Sequence, residues 1–343
     1  MSPLIKSIMI TTMITGTIIT MSSNHWLLAW LGLEINMMAI IPLISKTHHP
    51  RATEATIKYF LAQTGASMLM LFASTMNSWH SGTWDITQLT NPLACMTLTT
   101  ALCMKIGLAP MHLWLPETMQ GTTLKMSLII ATWQKLAPMS LLIMTSNSHS
   151  NFLLMTMATL SILVGGWGGL NQTQLRKIMA YSSIANMGWM IIILQQAPKL
   201  TTLTLILYIL MTTTMFMTLM PQKTKTIKTI GTTWTMSPPL TAIMMLTLTS
   251  LGGLPPMTGF MPKWLILEKL LTENMTTLAT LTAMATLLSL FFYLRLFYTT
   301  TMMIFPNTTP STQKWRHHTK NMTITMLMTP MTLMLLPILP LII

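Results

Sequence analysis

The sequence predicts an all-α polytopic membrane protein, and three observations carry that reading. Charged residues make up 7% of the 343 positions and hydrophobic residues 51%; a soluble domain carries about 25% charged residues to face water. Mean hydropathy is +0.58, so lipid has to act as the solvent for most of the chain. Apolar runs of about 20 residues, long enough to cross a bilayer as helices, recur along the whole length, separated by short polar clusters.

Eleven runs are expected to span: 3–21, 25–45, 56–78, 92–120, 123–146, 150–171, 176–196, 199–220, 238–270, 275–300 and 322–343. The first carries Lys6 ahead of an apolar stretch and has the outline of a signal peptide. It is followed by Ser22-Ser23-Asn24-His25 rather than a small-residue cleavage motif, so it is expected to remain as a span. The many threonines are compatible with spanning helices, because a Thr hydroxyl bonds back to its own backbone.

The net charge of +13, from 19 Lys plus Arg against 6 Asp plus Glu, would suggest nucleic acid in a soluble protein. Here the cations sit in short connections, the pattern of membrane topology and not of nucleic-acid binding. Lys6 and the connections after spans two, four, six, eight and ten hold thirteen of them, all on one side of an eleven-span count. The other side has Lys199 and Lys269, and four lie inside spans. The N-terminus is therefore expected on the positive side and the C-terminus opposite.

Spans four and nine are overlong and interrupted, the first by Gly107, Pro110 and Pro116, the second by Gly252, Gly253, Pro255 and Pro256. Proline removes a helical donor and clashes with the preceding turn, so both are expected to be broken helices. They are the fourth members of two successive groups of five, and an odd-numbered unit in tandem has inverted topology. Interrupted helices at matching positions point to a transport pathway. The expected division is 1–148 for the first repeat, 149–304 for the second, and 305–343 for a basic loop and a final span.

A charge at the bilayer centre costs about 2.5–3.5 kcal/mol on insertion scales. Glu34, Lys105 and Lys135 lie close to mid-span, and Lys263 follows the second break. Together these four cost on the order of 10 kcal/mol before pairing, so they are expected to face the bundle interior. Glu34 is the one acid at that depth, and an ion pair with Lys105 or Lys135 is the natural arrangement. A static salt bridge fixing the packing is one reading. The other is a relay, in which a desolvated lysine is charged when paired and neutral when not.

His112, just past the first break, has a side chain suited to proton hand-off, or to hydrogen-bonded packing. Glu117, near the positive side, is an entry carboxylate or an ordinary interfacial residue, and Glu268 is the matching candidate on the other side. Arg295 is expected to snorkel to water at the end of span ten, and the pairs His48-His49 and His317-His318 to be solvated in basic connections. Cys95 and Cys103, eight positions apart on one helix, are about 12 Å apart by helical rise, too far for a disulfide. Gly165-Gly166-Trp167-Gly168-Gly169 falls inside an apolar span and reads as helix packing, not a nucleotide-binding turn. No phosphate-loop motif, cysteine cluster or mid-membrane histidine pair is present, so no cofactor is expected in this chain.

The segment Lys105-Ile-Gly-Leu-Ala-Pro-Met-His112-Leu-Trp-Leu-Pro-Glu117-Thr-Met-Gln-Gly121 resembles the signature of the antiporter-like subunits of respiratory complex I. Arg176-Lys-Ile-Met-Ala-Tyr-Ser-Ser-Ile-Ala-Asn-Met-Gly188 and Leu251-Gly-Gly-Leu-Pro-Pro-Met-Thr-Gly-Phe-Met-Pro-Lys263 are similar to two further segments of that family. The resemblance implies roles: Glu34 and Lys105 as a modulating ion pair, Lys135 as the central relay lysine, Lys263 as the lysine of the second broken helix. It implies proton translocation driven by electron transfer elsewhere, with flavin, iron–sulfur clusters and ubiquinone in other subunits. It also implies a mitochondrial inner-membrane location with the positive side in the matrix, which fits the lack of a transit-peptide pattern. The expected partners are other membrane subunits, neighbouring antiporter-like subunits among them, and inner-membrane lipids. The family fold has fourteen spans and the match begins at the fourth, so three N-terminal helices are expected to be missing, leaving a face for a neighbour or lipid. Two other readings compete: a free-standing cation/proton antiporter, which should place more carboxylates at mid-membrane, and a non-pumping assembly scaffold.

Overall fold

Helices form wherever the apolar runs fall, and they end at the glycine, proline and polar clusters that separated those runs. The computed structural model describes residues 2–46, 48–222, 224–302 and 323–338. Its helices are α1 Pro3–Ser22, α2 Trp26–Ser45, α3 Pro50–Ser81, α4 Pro92–Ile106, α5 Trp114–Gly121, α6 Leu124–Ala131, α7 Leu136–Met144 and α8 Asn151–Gly169. They continue with α9 Leu175–Ile192, α10 Pro198–Gln222, α11 Ile227–Gly231, α12 Thr233–Met236, α13 Pro238–Gly252, α14 Phe260–Thr272, α15 Thr276–Thr301 and α16 Thr323–Leu333. Extended pairing among the described residues is limited to the isolated bridges His25–Asp85 and Gln174–Thr226.

Among the described residues, six helical stretches are long and apolar enough to cross a membrane: α1, α2, the α6–α7 stretch, α8, α10 and α15. Several of the other expected spans fail that measure for local reasons. α4 and α13 are 15-residue halves of broken helices, and α9 opens on Arg176 and Lys177. α3 runs for 32 residues and starts at Pro50, six positions before the expected boundary; at 1.5 Å per residue it is about 48 Å long, more than a hydrocarbon core needs. Of the expected last span, 322–343, the described residues 323–338 hold an 11-residue helix with Pro330 inside it and a 3₁₀ turn at Leu336–Ile338. The expected basic loop and its Lys314, Arg316, Lys320 and His317-His318, like Lys223, lie outside the described residues.

The chain forms two compact units, 1–161 with 194–198, and 162–193 with 199–343. In the first, α1 packs on α2, α2 on α3, and α3 on both α4 and α5. In the second, α13 and α14 pack on α15, and the glycines of α8 allow close approach on two sides. A Cβ at Gly165 would meet the backbone nitrogen of Ala185 at 2.7 Å, and one at Gly166 would meet Leu288 Cβ at 2.8 Å. This is the small-residue packing the glycine run implied.

The buried threonines behave as lipid requires. Thr99 and Thr247, both fully buried, donate to the carbonyls of Met96 at 2.7 Å and Met244 at 2.9 Å, so neither hydroxyl needs an outside partner. Cys95 and Cys103 are both buried free thiols.

Candidate functional site

Both expected breaks are present. α4 ends at Gly107 in the left-handed region (φ +86°), and the chain turns through a cis Ala109–Pro110 bond before α5 starts at Trp114. α13 ends at Gly253 in the same region (φ +78°), followed by a cis Pro255–Pro256 bond and then α14. A left-handed residue closes a helix cheaply only when it is glycine, which is why each break opens on one. A third interruption had no forecast in the sequence reading. Span five unwinds at Thr132 into a 3₁₀ turn, Trp133–Lys135, between α6 and α7.

Lys105, Lys135 and Lys263 each stand beside one of these interruptions, the first two buried and the third part-buried. In the first unit, Lys105 closes α4 two residues before the break and is 8% exposed, while Lys135 closes the 3₁₀ turn at 3%. Side chains supply donors to the carbonyls around the α4 terminus: Gln63 Nε2 to the Lys105 carbonyl at 3.3 Å, and Trp114 Nε1 to the Met104 carbonyl at 3.1 Å. Such capping is what a helix end inside a membrane requires.

Glu34 is half-buried on α2. The charge of its carboxylate reaches both Lys105 and the Tyr59 hydroxyl through space. Among the described residues, nitrogen–oxygen contacts within 4.0 Å join Lys58 to Glu54 and to Glu117, and none joins Glu34 to Lys105.

A polar chain that the sequence reading missed runs beside these charges. Tyr59 Oη donates to Gln134 Oε1 at 3.2 Å, and Gln134 Nε2 donates to Asn36 Oδ1 at 2.8 Å. It links α3, the 3₁₀ turn and α2, with Tyr59 and Asn36 almost fully buried. Gln134 precedes Lys135 and Asn36 lies two residues from Glu34, so uncharged polar residues next to buried charges were the available signal.

His112 is 8% exposed, with Nδ1 3.1 Å from the Pro110 carbonyl inside the break. Glu117 is exposed and binds Lys58 at 2.7 Å, while Glu54 binds the same ammonium at 2.5 Å. These partners raise the Lys58 pKa to about 12, and Lys58 holds Glu54 below the usual carboxylate value. Glu117 is thus part of an exposed three-membered charge cluster, about as strong as a surface ion pair.

In the second unit, Lys263 Nζ donates to the Gly252 carbonyl at 2.8 Å, using an acceptor that the break exposes. A Cβ at Gly253 would stand 2.9 Å from Lys263 Cδ and Nζ, so this glycine both turns the chain and leaves room for the lysine. Lys263 faces a cavity of about 30 Å³ lined also by Asn186, Thr204, Tyr208 and Ile266; a water molecule needs about 10–15 Å³ of such volume. Asn186 lines this cavity, and its side chain also reaches the Tyr293 hydroxyl. The sequence reading weighed charges alone and passed over this asparagine. Glu268 is exposed on α14, away from any described ion pair. Arg295 does not simply snorkel: its Nη1 donates to the Leu170 carbonyl at 2.8 Å, just past the end of α8.

Comparison with known proteins bears on this arrangement of paired breaks and buried lysines. The family model described as NADH:quinone oxidoreductase/Mrp antiporter, TM, matches residues 23–289. The chain belongs to this family. A second model, NADH dehydrogenase subunit 2 C-terminus, matches the antiporter-family chain at residues 290–343. NADH-ubiquinone oxidoreductase chain 2 of Carassius auratus is 55% identical over 341 residues, covering 99% of this chain and 98% of that one. The protein of the same name from Struthio camelus is 53% identical over 342 residues, covering 100% and 99%. Among solved structures, respiratory complex I from Thermus thermophilus with bound aureothin has a chain similar with a TM-score of 0.85 at 22% identity, covering 98% of this chain and 80% of that one. The Mrp complex from Dietzia sp. DQ12-45-1b has one with a TM-score of 0.79 at 15% identity, covering 88% and 61%. At those identities the two structures speak for a shared antiporter-like fold.

Proposed function

We propose that this chain, a membrane subunit of the NADH:ubiquinone oxidoreductase complex, moves protons through its buried lysines, driven by electron transfer in other subunits. The observation that carries the reading is the coincidence of a lysine within a span and a helix interruption, three times over: buried Lys105 at the α4 break, buried Lys135 in the 3₁₀ turn and part-buried Lys263 on the Gly252 carbonyl. Interrupted backbone is tolerated at membrane depth where it lines a polar or wet interior, and a lysine there exchanges its proton more readily than one in water. Glu34 acts through space on Lys105, so a change in the protonation of either alters the other.

In this reading Glu34, Lys105, Lys135 and Lys263 are the relay, and His112 is a hand-off group within the first break. The polar residues Tyr59, Gln134 and Asn36 hold the first unit's charges in place, and Asn186 does so for Lys263. Glu117 and Glu268, both exposed, serve as carboxylates at the two mouths. The membrane is the mitochondrial inner membrane, crossed eleven times as two inverted five-helix repeats and one further helix, with the N-terminus in the matrix and the C-terminus in the intermembrane space. Partners are the neighbouring antiporter-like subunits and inner-membrane lipid. Redox cofactors are assigned to other subunits.

Replacing Lys135 with Met in the assembled complex tests this directly, since the volume and stem are kept and the exchangeable charge is removed. Proton uptake and release by the complex in liposomes should fall while NADH oxidation continues. A scaffold would pump normally whenever the complex assembles.

A further inference from the structure

The first unit holds a second buried polar centre, formed by the turn after α7 and the 194–198 segment. His149 is 5% exposed. Its Nε2 lies 2.7 Å from Thr145 Oγ1, and that hydroxyl is 2.8 Å from the Leu141 carbonyl. A hydroxyl has one proton, and here the carbonyl takes it. Thr145 Oγ1 must then accept from His149 Nε2–H, which fixes the tautomer and leaves Nδ1 as a bare lone pair.

That lone pair is buried and has no protein partner, and the same holds for Ser150 Oγ and Gln195 Oε1. Gln195 is anchored there because its Nε2 donates to the His149 carbonyl at 2.6 Å. Burial pushes the His149 imidazole down to about 4, in keeping with a neutral resting ring. Two unpartnered acceptors and one hydroxyl around a single turn are more than a native interior leaves dry; each orphan costs about 1–3 kcal/mol unless something donates to it. Water, with two protons to give, fits this donor deficit.

We infer that the 145–150 turn and Gln195 enclose bound water on the negative side of the first unit, and that His149 Nδ1 is a second group, besides the Lys263–Glu268 route, through which protons leave toward that side. The inference rests on the relay and orientation proposed above. α7 begins immediately after Lys135 and ends at Met144, just before this turn, so one helix of about 14 Å has the buried lysine at one end and the buried histidine at the other. A proton delivered by the bound water is taken up on Nδ1, giving imidazolium. Its loss to the aqueous phase restores the neutral ring, with no other group changed.

The test uses the whole complex in liposomes, with His149→Gln and His149→Leu compared against Lys135→Met. Glutamine keeps hydrogen-bonding capacity but has no titratable nitrogen. Both His149 variants should lower the protons moved per NADH oxidised below the parental value, with NADH oxidation continuing. Parental stoichiometry in His149→Gln, alongside a loss in Lys135→Met, would overturn the role of His149 and leave the lysine relay standing. A loss in His149→Gln with normal pumping in Lys135→Met would support His149 and overturn the lysine relay instead. Should His149→Leu fail to assemble, a high-resolution map of the unaltered complex decides: water within hydrogen-bond distance of Nδ1 supports the inference, and a dry Nδ1 overturns it.

Discussion

Substituting Gly253 by alanine puts the link between helix break and lysine under the most specific stress. Gly253 has φ +78°, and an L-residue in that region costs about 1–2 kcal/mol. The added Cβ would also lie 2.9 Å from Lys263 Cδ and Nζ, so the side chain has to leave the Gly252 carbonyl it holds at 2.8 Å. A hydrogen bond from a charged group contributes about 1.5–3 kcal/mol, which converts to roughly a 10- to 150-fold loss of the native Lys263 pose. Gly82 supplies the control: it has φ +71° and nothing within 4 Å of its would-be Cβ, so Gly82→Ala carries the backbone cost alone. Both variants are assayed as assembled complex in liposomes for NADH oxidation and for protons moved. Gly253→Ala should lose most of its pumping while Gly82→Ala pumps normally. Equal pumping by the two, at equal assembly, would refute the claim that the break exists to position Lys263.

Three further outcomes are expected. Tyr59→Phe removes the donor to Gln134 and leaves a polar atom unsatisfied, at a cost of about 1–3 kcal/mol; reduced pumping with modestly reduced assembly is expected, and an unchanged variant would remove this chain from the relay's support. Arg295→Met strips the donor from the Leu170 carbonyl and should lower assembly without altering protons per NADH in the complex that forms; altered stoichiometry would instead place Arg295 on the proton path. For the Lys58 cluster, the Lys58 pKa is raised from 10.5 to about 12, so its stabilisation is complete below 10.5 and fades as pH climbs toward about 12. Glu54 is lowered from 4.5, so its share is complete above 4.5 and is lost as pH drops beneath that value. The effect of Lys58→Ala on thermal inactivation of the complex should therefore be small, as for exposed ion pairs, and the same at about pH 6 and about pH 9. A marked difference between those two pH values would contradict the assigned pKa directions.

Much of this was legible in the sequence because the bilayer allows few solutions. Apolar run lengths located the helices, and Gly107-to-Pro110 and Gly253-to-Pro256 marked two of the three interruptions, since those residue types act on backbone geometry directly. Lys105, Lys135 and Lys263 stood out because charge at that depth is expensive. The third interruption, at Thr132–Lys135, was passed over although its cause is in the sequence: Pro138 lacks the N–H that would bond the Gln134 carbonyl one turn back, and its ring crowds that carbonyl. Pairing was illegible. One carboxylate among three lysines suggested a closed salt bridge, while the fold keeps Glu34 out of direct contact with Lys105 and gives Lys263 a backbone carbonyl. Neutral side chains such as Gln134, Asn186 and His149 have no periodicity or charge to set them apart, and their meaning comes from the atoms they bond or leave unpartnered in the fold.

A relay through Glu34, Lys105 and Lys135 requires a hydrated path between these side chains. A map of the intact complex at a resolution that places ordered water, examined around Glu34, Lys105 and Lys135, tests it most directly. A continuous run of water linking the three side chains is the predicted result. Apolar side chains packed without water between them would contradict it.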